Sequence, residues 1–287
     1  MPMAVIMNPG TRAALWMLGT LCSFTAMAIA GRELSADFGT FQILAVRSAI
    51  GLTLMVLLLS ALGWHRITHA DVTTHLLRNL AHYAGQFGWF FAIAYLPLAA
   101  VFAIEFTVPL WTLVFAALIL KERITLVRVT ALAVGLAGVM LILRPGGDLL
   151  QVAALAMLGG ALAYGLSHTL TKKLAARHSA LSILFYMMLI QLPLGLLPAW
   201  QDWAPLQTRH WPWFLLVGVT GLTAHYCMVR ALALADASVV VPMDLLRLPL
   251  IALVGYLLYQ ERVDLWLVIG SGLIVAGNML NVFWNRG

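Results

Sequence analysis

Five charged side chains interrupt the long apolar runs of this 287-residue sequence: Arg47, Glu105, Arg230, Asp244 and Arg247. A charge at the centre of a bilayer costs roughly 2.5–3.5 kcal/mol even on the lenient insertion scale. Such residues persist where they have a partner, an aqueous cavity or a task. Depth suggests the partners. Glu105 lies 16 residues before Lys121, ~24 Å along a helix from the inner face and thus in the outer third. Arg47, six residues into an inward-running helix, sits at similar depth. Asp244 is eight residues past Asp236, ~12 Å from the inner face, a level that Arg230 approaches. Arg247 follows Asp244 by three residues and shares its helix face. The expected ion pairs are therefore Arg47–Glu105 and Asp244 with Arg230 or Arg247. They would serve either to fix helix packing or to contact and gate a solute.

Three histidines, His82, His168 and His225, also fall in apolar runs, two of them beside tyrosines as His82-Tyr83 and His225-Tyr226. Imidazole titrates near neutral pH and both donates and accepts hydrogen bonds. Metal ligation is not expected, because no two histidines stand at i, i+4 with a carboxylate. Gln86 lies one turn above His82 and Tyr83 in a stretch that also holds Phe87, Trp89, Phe90, Phe91 and Tyr95. A Gln–His–Tyr surface among aromatics suits a planar or zwitterionic solute. With Trp111 and Tyr164, the expected cavity set is His82, Tyr83, Gln86, Trp89, Glu105, Trp111, Tyr164, His168, His225, Tyr226, Asp244 and Arg247. Trp200, Trp203, Trp211 and Trp213 read as an interfacial anchoring belt. Cys22 and Cys227 read as buried small apolar side chains, and no cofactor is expected.

The elements that must position these residues are transmembrane helices. The chain is 62% hydrophobic and 10% charged, with mean hydropathy +0.94; soluble domains are nearer about 45–50% and about 25%. Ten segments suit spans of ~20 residues: roughly 12–31, 41–61, 76–96, 98–120, 126–143, 150–170, 180–200, 212–233, 237–259 and 265–284. Connections such as Arg144-Pro145-Gly146-Gly147-Asp148 and Gln201-Asp202-Trp203-Ala204-Pro205 are short. Ala28-Ile29-Ala30 imitates a signal-peptide cleavage site, but many further spans follow, so the segment is expected to be the first helix. The net charge of +6 reflects basic loops rather than a nucleic-acid surface. With the N-terminus inside, ten of the 17 Lys and Arg residues face inward and four outward, which predicts both termini in the cytoplasm.

The halves resemble each other at an offset of 139 residues. Leu120-Lys121-Glu122-Arg123-Ile124 aligns with Tyr259-Gln260-Glu261-Arg262-Val263, Glu105 with Asp244, Ala99 with Ser238 and Gly138 with Gly277. Gln86 and Phe87 align with His225 and Tyr226. Five spans per copy is odd, so the second copy must enter the membrane inverted, a hallmark of secondary transporters. No G-x-x-x-x-G-K-[ST] segment exists for ATP. The fold expected is all-α, ten transmembrane helices as two inverted five-helix repeats, residues 1–144 and 149–287.

On these residues the chain resembles the drug/metabolite transporter superfamily, EamA type. The resemblance rests on Ala92-Ile93-Ala94-Tyr95-Leu96-Pro97-Leu98-Ala99-Ala100 leading into Pro109-Leu110-Trp111, and on Ala231-Leu232-Ala233-Leu234-Ala235-Asp236-Ala237-Ser238 leading into Pro249-Leu250. Pro109 aligns with Leu248, so the helix bends need not be symmetric. Within the superfamily the chain looks most like the YddG-type bacterial amino-acid exporters, aromatic substrates especially. That resemblance implies a cavity lined by helices one, three, four, six, eight and nine, with five and ten at the periphery. It also implies a small-molecule substrate carried across the inner membrane by alternating access. Two other classes compete: an intramembrane enzyme acting on lipid-linked substrates, for which no G-x-S-x-G, H-E-x-x-H or paired-aspartate motif is found, and a scaffold or receptor. Drug, nucleoside or sugar carriage are further options within the superfamily. Partners are expected to be solute and lipid only, no nucleic acid, with the monomer as the working unit.

Overall fold

The computed structural model describes residues 9–68, 70–120, 126–143, 148–175, 177–232, 234 and 247–284. The Lys121-Glu122-Arg123 segment, the stretch holding Asp236 and Asp244, and both chain ends lie outside them. The helices are α1 Pro9–Leu34, α2 Thr40–Leu62, α3 Val72–Tyr95, α4 Leu98–Glu105, α5 Val108–Leu120, α6 Leu126–Leu143, α7 Asp148–Ala175, α8 Ala180–Ala199, α9 Trp211–Leu232, α10 Arg247–Tyr259 and α11 Leu265–Trp284. No strand occurs among the described residues. Five segments are long and apolar enough to cross a bilayer by themselves: Thr11–Leu34, Thr40–Leu62, Leu98–Ile119, Val152–Ala175 and Ala180–Ala199. α3 is 24 residues long, but its buried face carries His75, Arg78, Asn79, His82 and Gln86, which dilutes its hydropathy.

The expected single span 98–120 is two helices, α4 and α5, separated at Phe106-Thr107. Pro109 supplies the reason. It has no N–H to give the carbonyl of Glu105, four residues back, and its ring crowds that carbonyl. At the break Thr107 Oγ1 donates to the Ile104 carbonyl at 2.8 Å. Pro109 itself sits in the first turn of α5, where a missing N–H costs nothing.

Helices pair across the two halves. α3 packs on α7, α1 on α9, α2 on α8 and α6 on α11. Exchanging the halves turns α1–α9 into α7–α3 and leaves the other two pairs as they are. Each pair is antiparallel. On α3, Gly85 faces Tyr164 while Gly88, a turn later, faces Ala156 and Gly160. On α6, Gly138 meets Gly270 and Ile274 while Ala131 and Gly135 meet Gly277. Antiparallel pairs that survive the exchange are what two inverted five-span copies produce. A Cβ on Gly88 would stand 2.3 Å from the Ala156 carbonyl oxygen, so this glycine sets how closely the two backbones approach.

Polar contacts tie the halves at both ends. At one end Glu261, after α10, accepts from the Leu98 N–H at 2.8 Å and lies 3.1 Å from Arg32 Nη2; Arg32 also donates to the Leu96 carbonyl. Glu261 thereby caps α4, whose first amides have no partner in their own helix. At the other end His178 Nε2 donates to Asp71 at 3.0 Å, and His178 Nδ1 faces His75 Nε2 at 3.4 Å. Trp200, Trp203 and Trp211 are exposed and Trp213 half-buried, in keeping with a belt. Cys22 is exposed, contrary to expectation, and Cys227 is half-buried. Cys22 lies on the outward side of α1, while Cys227 abuts Gly19 where α1 meets α9.

Candidate functional site

α3 builds the site. Its polar residues recur at helical spacing, so His75, Arg78, Asn79, His82, Gln86 and Trp89 share one buried stripe. Near the middle of the bundle the helices part around a cavity of about 240 Å³. α1 contributes Met17, Phe24 and Met27, α3 Gln86 and Trp89, and the broken helix Glu105, Phe106, Val108 and Pro109. α7 adds Tyr164 and His168, α9 His225 and Met228, and α10 Arg247. These helices correspond to the first, third, fourth, sixth, eighth and ninth expected spans.

Glu105 ends α4 directly at the break. Its carboxylate accepts from Trp89 Nε1 at 2.8 Å and from Arg247 Nη1 at 3.4 Å. Glu105 belongs to the first half and Arg247 to the second, so the acid–base pair spans the interface between them. The Arg247 guanidinium also lies 4.7 Å from the Phe24 ring centre, 5.4 Å from Phe102 and 5.6 Å from Phe106. Cation–π attraction and the carboxylate together offset the loss of water around a side chain only 4% exposed.

The expected Arg47–Glu105 pair does not form. α2 packs on α8 and α9, and Arg47 Nη1 donates instead to Gln86 Oε1 at 2.8 Å. Depth along an axis is one coordinate of three; the direction in which α2 faces sends Arg47 to α3. Arg47 thereby holds the side-chain carbonyl of Gln86, a residue of the cavity wall.

Of the other candidates, Gln86, Trp89, Glu105, Tyr164, His168, His225 and Arg247 line the cavity. His82 lies behind the wall, 1% exposed. Gln191 Nε2 donates to its Nδ1 at 2.9 Å, and its ring stands 5.4 Å from both Tyr164 and His225. Tyr83 is buried in the apolar core and Trp111 packs against it; neither reaches the cavity wall. Tyr226 accepts from Arg230 Nη1 at 2.8 Å, and Arg230 lies over the Trp16 ring at 4.9 Å, so this pair belongs to the α1–α9 contact. Asp244, and with it any Asp244 pairing with Arg230 or Arg247, lies outside the described residues. Sequence reasoning passed over Met17, Phe24, Met27, Phe106, Val108 and Met228, which carry no charge to draw notice. On α1 the spacing of Met17, Phe24 and Met27 by seven and three residues marks one helical face.

A model of the EamA-like transporter family matches residues 11–144 and again residues 151–283. The chain is 30% identical over 279 residues to a riboflavin transporter of Vibrio cholerae, covering 95% of this chain and 93% of that one. It is 22% identical over 268 residues to an S-adenosylmethionine uptake transporter of Rickettsia prowazekii, covering 93% and 91%. It is 29% identical over 265 residues to a pseudopaline exporter of Pseudomonas aeruginosa, covering 91% and 93%. A crystal structure with 19% identity superposes with a TM-score of 0.65 over 96% of this chain and 98% of the other, which shows a shared fold. Matched twice by one family model, once in each half, the chain belongs to the EamA-like transporter family.

Proposed function

We propose that the protein is a secondary transporter that moves small amphipathic metabolites, amino acids including aromatic ones among them, outward through the cavity between its halves. The observation that carries this reading is the Glu105–Arg247 pair: an acid and a base from opposite halves, meeting at a broken helix on the wall of a mid-bundle cavity. Discontinuous helices at the repeat interface are where transporters bind their cargo, because the freed backbone groups and the charges near them contact the solute. Rocking the halves would open the site alternately to either face. In this reading there are ten spans, with residues 1–144 and 149–287 as the two units, both termini cytoplasmic and one chain a complete transporter. The histidine-closed end then faces the cytoplasm.

The wall supports an amphipathic solute. Phe24, Trp89, Phe106 and three methionines offer apolar and polarisable surface, while Gln86, His225 and the ion pair offer hydrogen bonds. The relatives named for riboflavin, S-adenosylmethionine and pseudopaline widen the panel beyond amino acids. The test is counterflow in proteoliposomes with L-tryptophan, L-phenylalanine, riboflavin and S-adenosylmethionine, at several pH values and with or without a proton gradient. Acceleration of at least one solute over empty liposomes, lost in Glu105→Gln or Arg247→Gln, is expected. No acceleration of any solute would sink the reading.

A further inference from the structure

Glu105 is the last residue of α4 and Arg247 the first of α10, and both line the cavity. Their contact is loose. Arg247 Nη1 stands 3.4 Å from Glu105 Oε1, beyond the ~2.7–2.9 Å of a well-made charge-assisted bond. The other carboxylate oxygen, Oε2, is held by Trp89 Nε1 at 2.8 Å, and the Glu105 side chain keeps 16% exposure. One oxygen is thus anchored, while the other meets the guanidinium weakly at the cavity wall.

The internal repeat shows that packing does not require a base here. At the offset of 139 residues Val108 aligns with Arg247. Val108 likewise opens its helix, α5, and lines the same cavity. The fold provides this wall position twice, and one copy is filled by an apolar side chain. An arginine in the other copy brings a charge whose desolvation is expensive even beside a carboxylate. The Glu105–Arg247 pair is neutral as a whole. An α-amino acid headgroup is neutral in the same way, with an ammonium and a carboxylate on one carbon. A singly charged solute would engage one member of the pair and leave the other without a counter-ion and away from water, which is strongly unfavourable. A zwitterion engages both. The cavity of about 240 Å³ equals about eight waters by their share of the liquid, the scale of a single amino acid.

We propose that the Glu105–Arg247 pair is the headgroup site of the transporter and selects zwitterionic α-amino acids. The pair opens, Glu105 receives the solute's ammonium, and Arg247 receives its carboxylate. The inference rests on the transporter reading and narrows its solutes to those that carry both charges. An ammonium offers three donors to the carboxylate, and the guanidinium fork matches the solute's carboxylate. Trp89 is a positioning residue, keeping Glu105 on the wall as Arg247 turns to the solute. The solute's side chain lies among Phe24, Phe106 and Met228. Because Glu105 and Arg247 come from opposite halves, the bound zwitterion replaces their direct contact and bridges the halves itself.

The test uses the full chain in lipid nanodiscs, with empty nanodiscs subtracted, and three probes that share an indole. They are L-tryptophan, tryptamine, which lacks the carboxylate, and indole-3-propionate, which lacks the ammonium. Calorimetry should show the wild type binding L-tryptophan at least about ten-fold more tightly than either analogue, because each analogue strands one charge of the pair. The single variants should part in opposite directions. Arg247→Gln keeps the carboxylate and should prefer tryptamine to indole-3-propionate. Glu105→Gln keeps the guanidinium and should prefer indole-3-propionate to tryptamine. A loss of packing alone would weaken all three probes alike. Equal affinities in the wild type, no binding of L-tryptophan, or the same order of the two analogues in both variants would each overturn the proposal. The wild-type comparison decides it even where a variant fails to fold. Zwitterion-selective binding without counterflow of any solute would instead leave the headgroup site standing and remove the transport reading, so the two failures are distinct.

Discussion

At the end where α1, α10 and the turn between α3 and α4 meet, the halves are held by an arginine and a glutamate. At the opposite end, where α3 begins and α7 finishes, they are held by an aspartate and two histidines. Both contacts cross from one half to the other, so the proposed rocking of the halves requires both to break. Their responses to protons differ. Burial pushes the Glu261 carboxyl above the ordinary glutamate value, with the Leu98 N–H and Arg32 pulling against it. A group raised in this way favours the folded state below its ordinary value and loses that contribution as pH rises through the shifted one. The His178 hydrogen bond holds the Asp71 carboxyl below the ordinary aspartate value. Its contribution is present above that value and is lost only as pH falls through the lowered one. At the histidine end His75 Nε2 and His178 Nδ1 face each other at 3.4 Å, with Arg78, Lys173 and Arg177 adding positive charge nearby; Tyr186 packs on the His75 ring from α8 at 4.4 Å. As pH falls, the raised Glu261 carboxyl takes up its proton before the lowered Asp71 carboxyl does, so acid removes the charge from the clasp first and the acceptor of the His178 bond last.

The largest effect should come from breaking the clasp. Glu261→Ala strands Arg32 and uncaps α4, and should cost about 3 kcal/mol, the lower end for a buried pair losing one member because ionising this carboxylate is itself costly. Glu261→Gln retains an acceptor for Leu98 and should lose less. Thermal unfolding in detergent measures both, and equal melting of the two variants would show that the charge matters and the cap does not. Next comes the contact midway between the ends. Gly88→Ala drives a methyl into the Ala156 carbonyl and should cost about 1–3 kcal/mol at every pH. Gly159→Ala, with nothing within 4 Å of its added methyl, should be neutral or slightly stabilising.

The histidine end is worth about 1 kcal/mol per hydrogen bond, and its loss should be visible as access. In a Cys22→Ser, Cys227→Ser background, Ser167→Cys at a buried position should react several-fold faster with a membrane-impermeant thiol reagent once His178→Ala removes the bond to Asp71. An unchanged rate would show that this contact does not close its end. The smallest change is Tyr259→Phe at the clasp, which removes a 3.0 Å bond to Glu33 on the surface and should lower stability by about 0.5 kcal/mol.

Much of the site was legible because buried polarity is conspicuous in an apolar sequence. Gln86, Trp89, Glu105, His225 and Arg247 stood out by type alone, and all line the cavity. The partnerships were not legible. Arg47 and Glu105 share a depth, but α2 turns its arginine toward α3 and α9, and the matching donor to Glu105 comes from α10 in the other half. The break in the fourth span could have been read from Pro109, whose ring acts on the residue four positions back. The apolar lining from α1 left only a faint spacing signal. Glu261 was visible as a repeat marker, whereas its task as a cap for α4 depends on a contact between residues 163 positions apart.

Composition, periodicity and the internal repeat by themselves determined a helical, multi-pass membrane protein; the resemblance carried by its helix-hairpin segments pointed to the EamA-like family of bacterial inner-membrane proteins to which it belongs. Hydropathy and helix period act over a few turns of chain, so a linear pattern records them in full. The tertiary structure decided which polar groups meet. It set Glu105 against Arg247, hid His82 behind the wall and left one edge of Arg47 facing Gly221. Those outcomes depend on how each helix is rotated about its own axis and how closely glycines let its neighbours approach, and such angles are settled only when all the helices pack together.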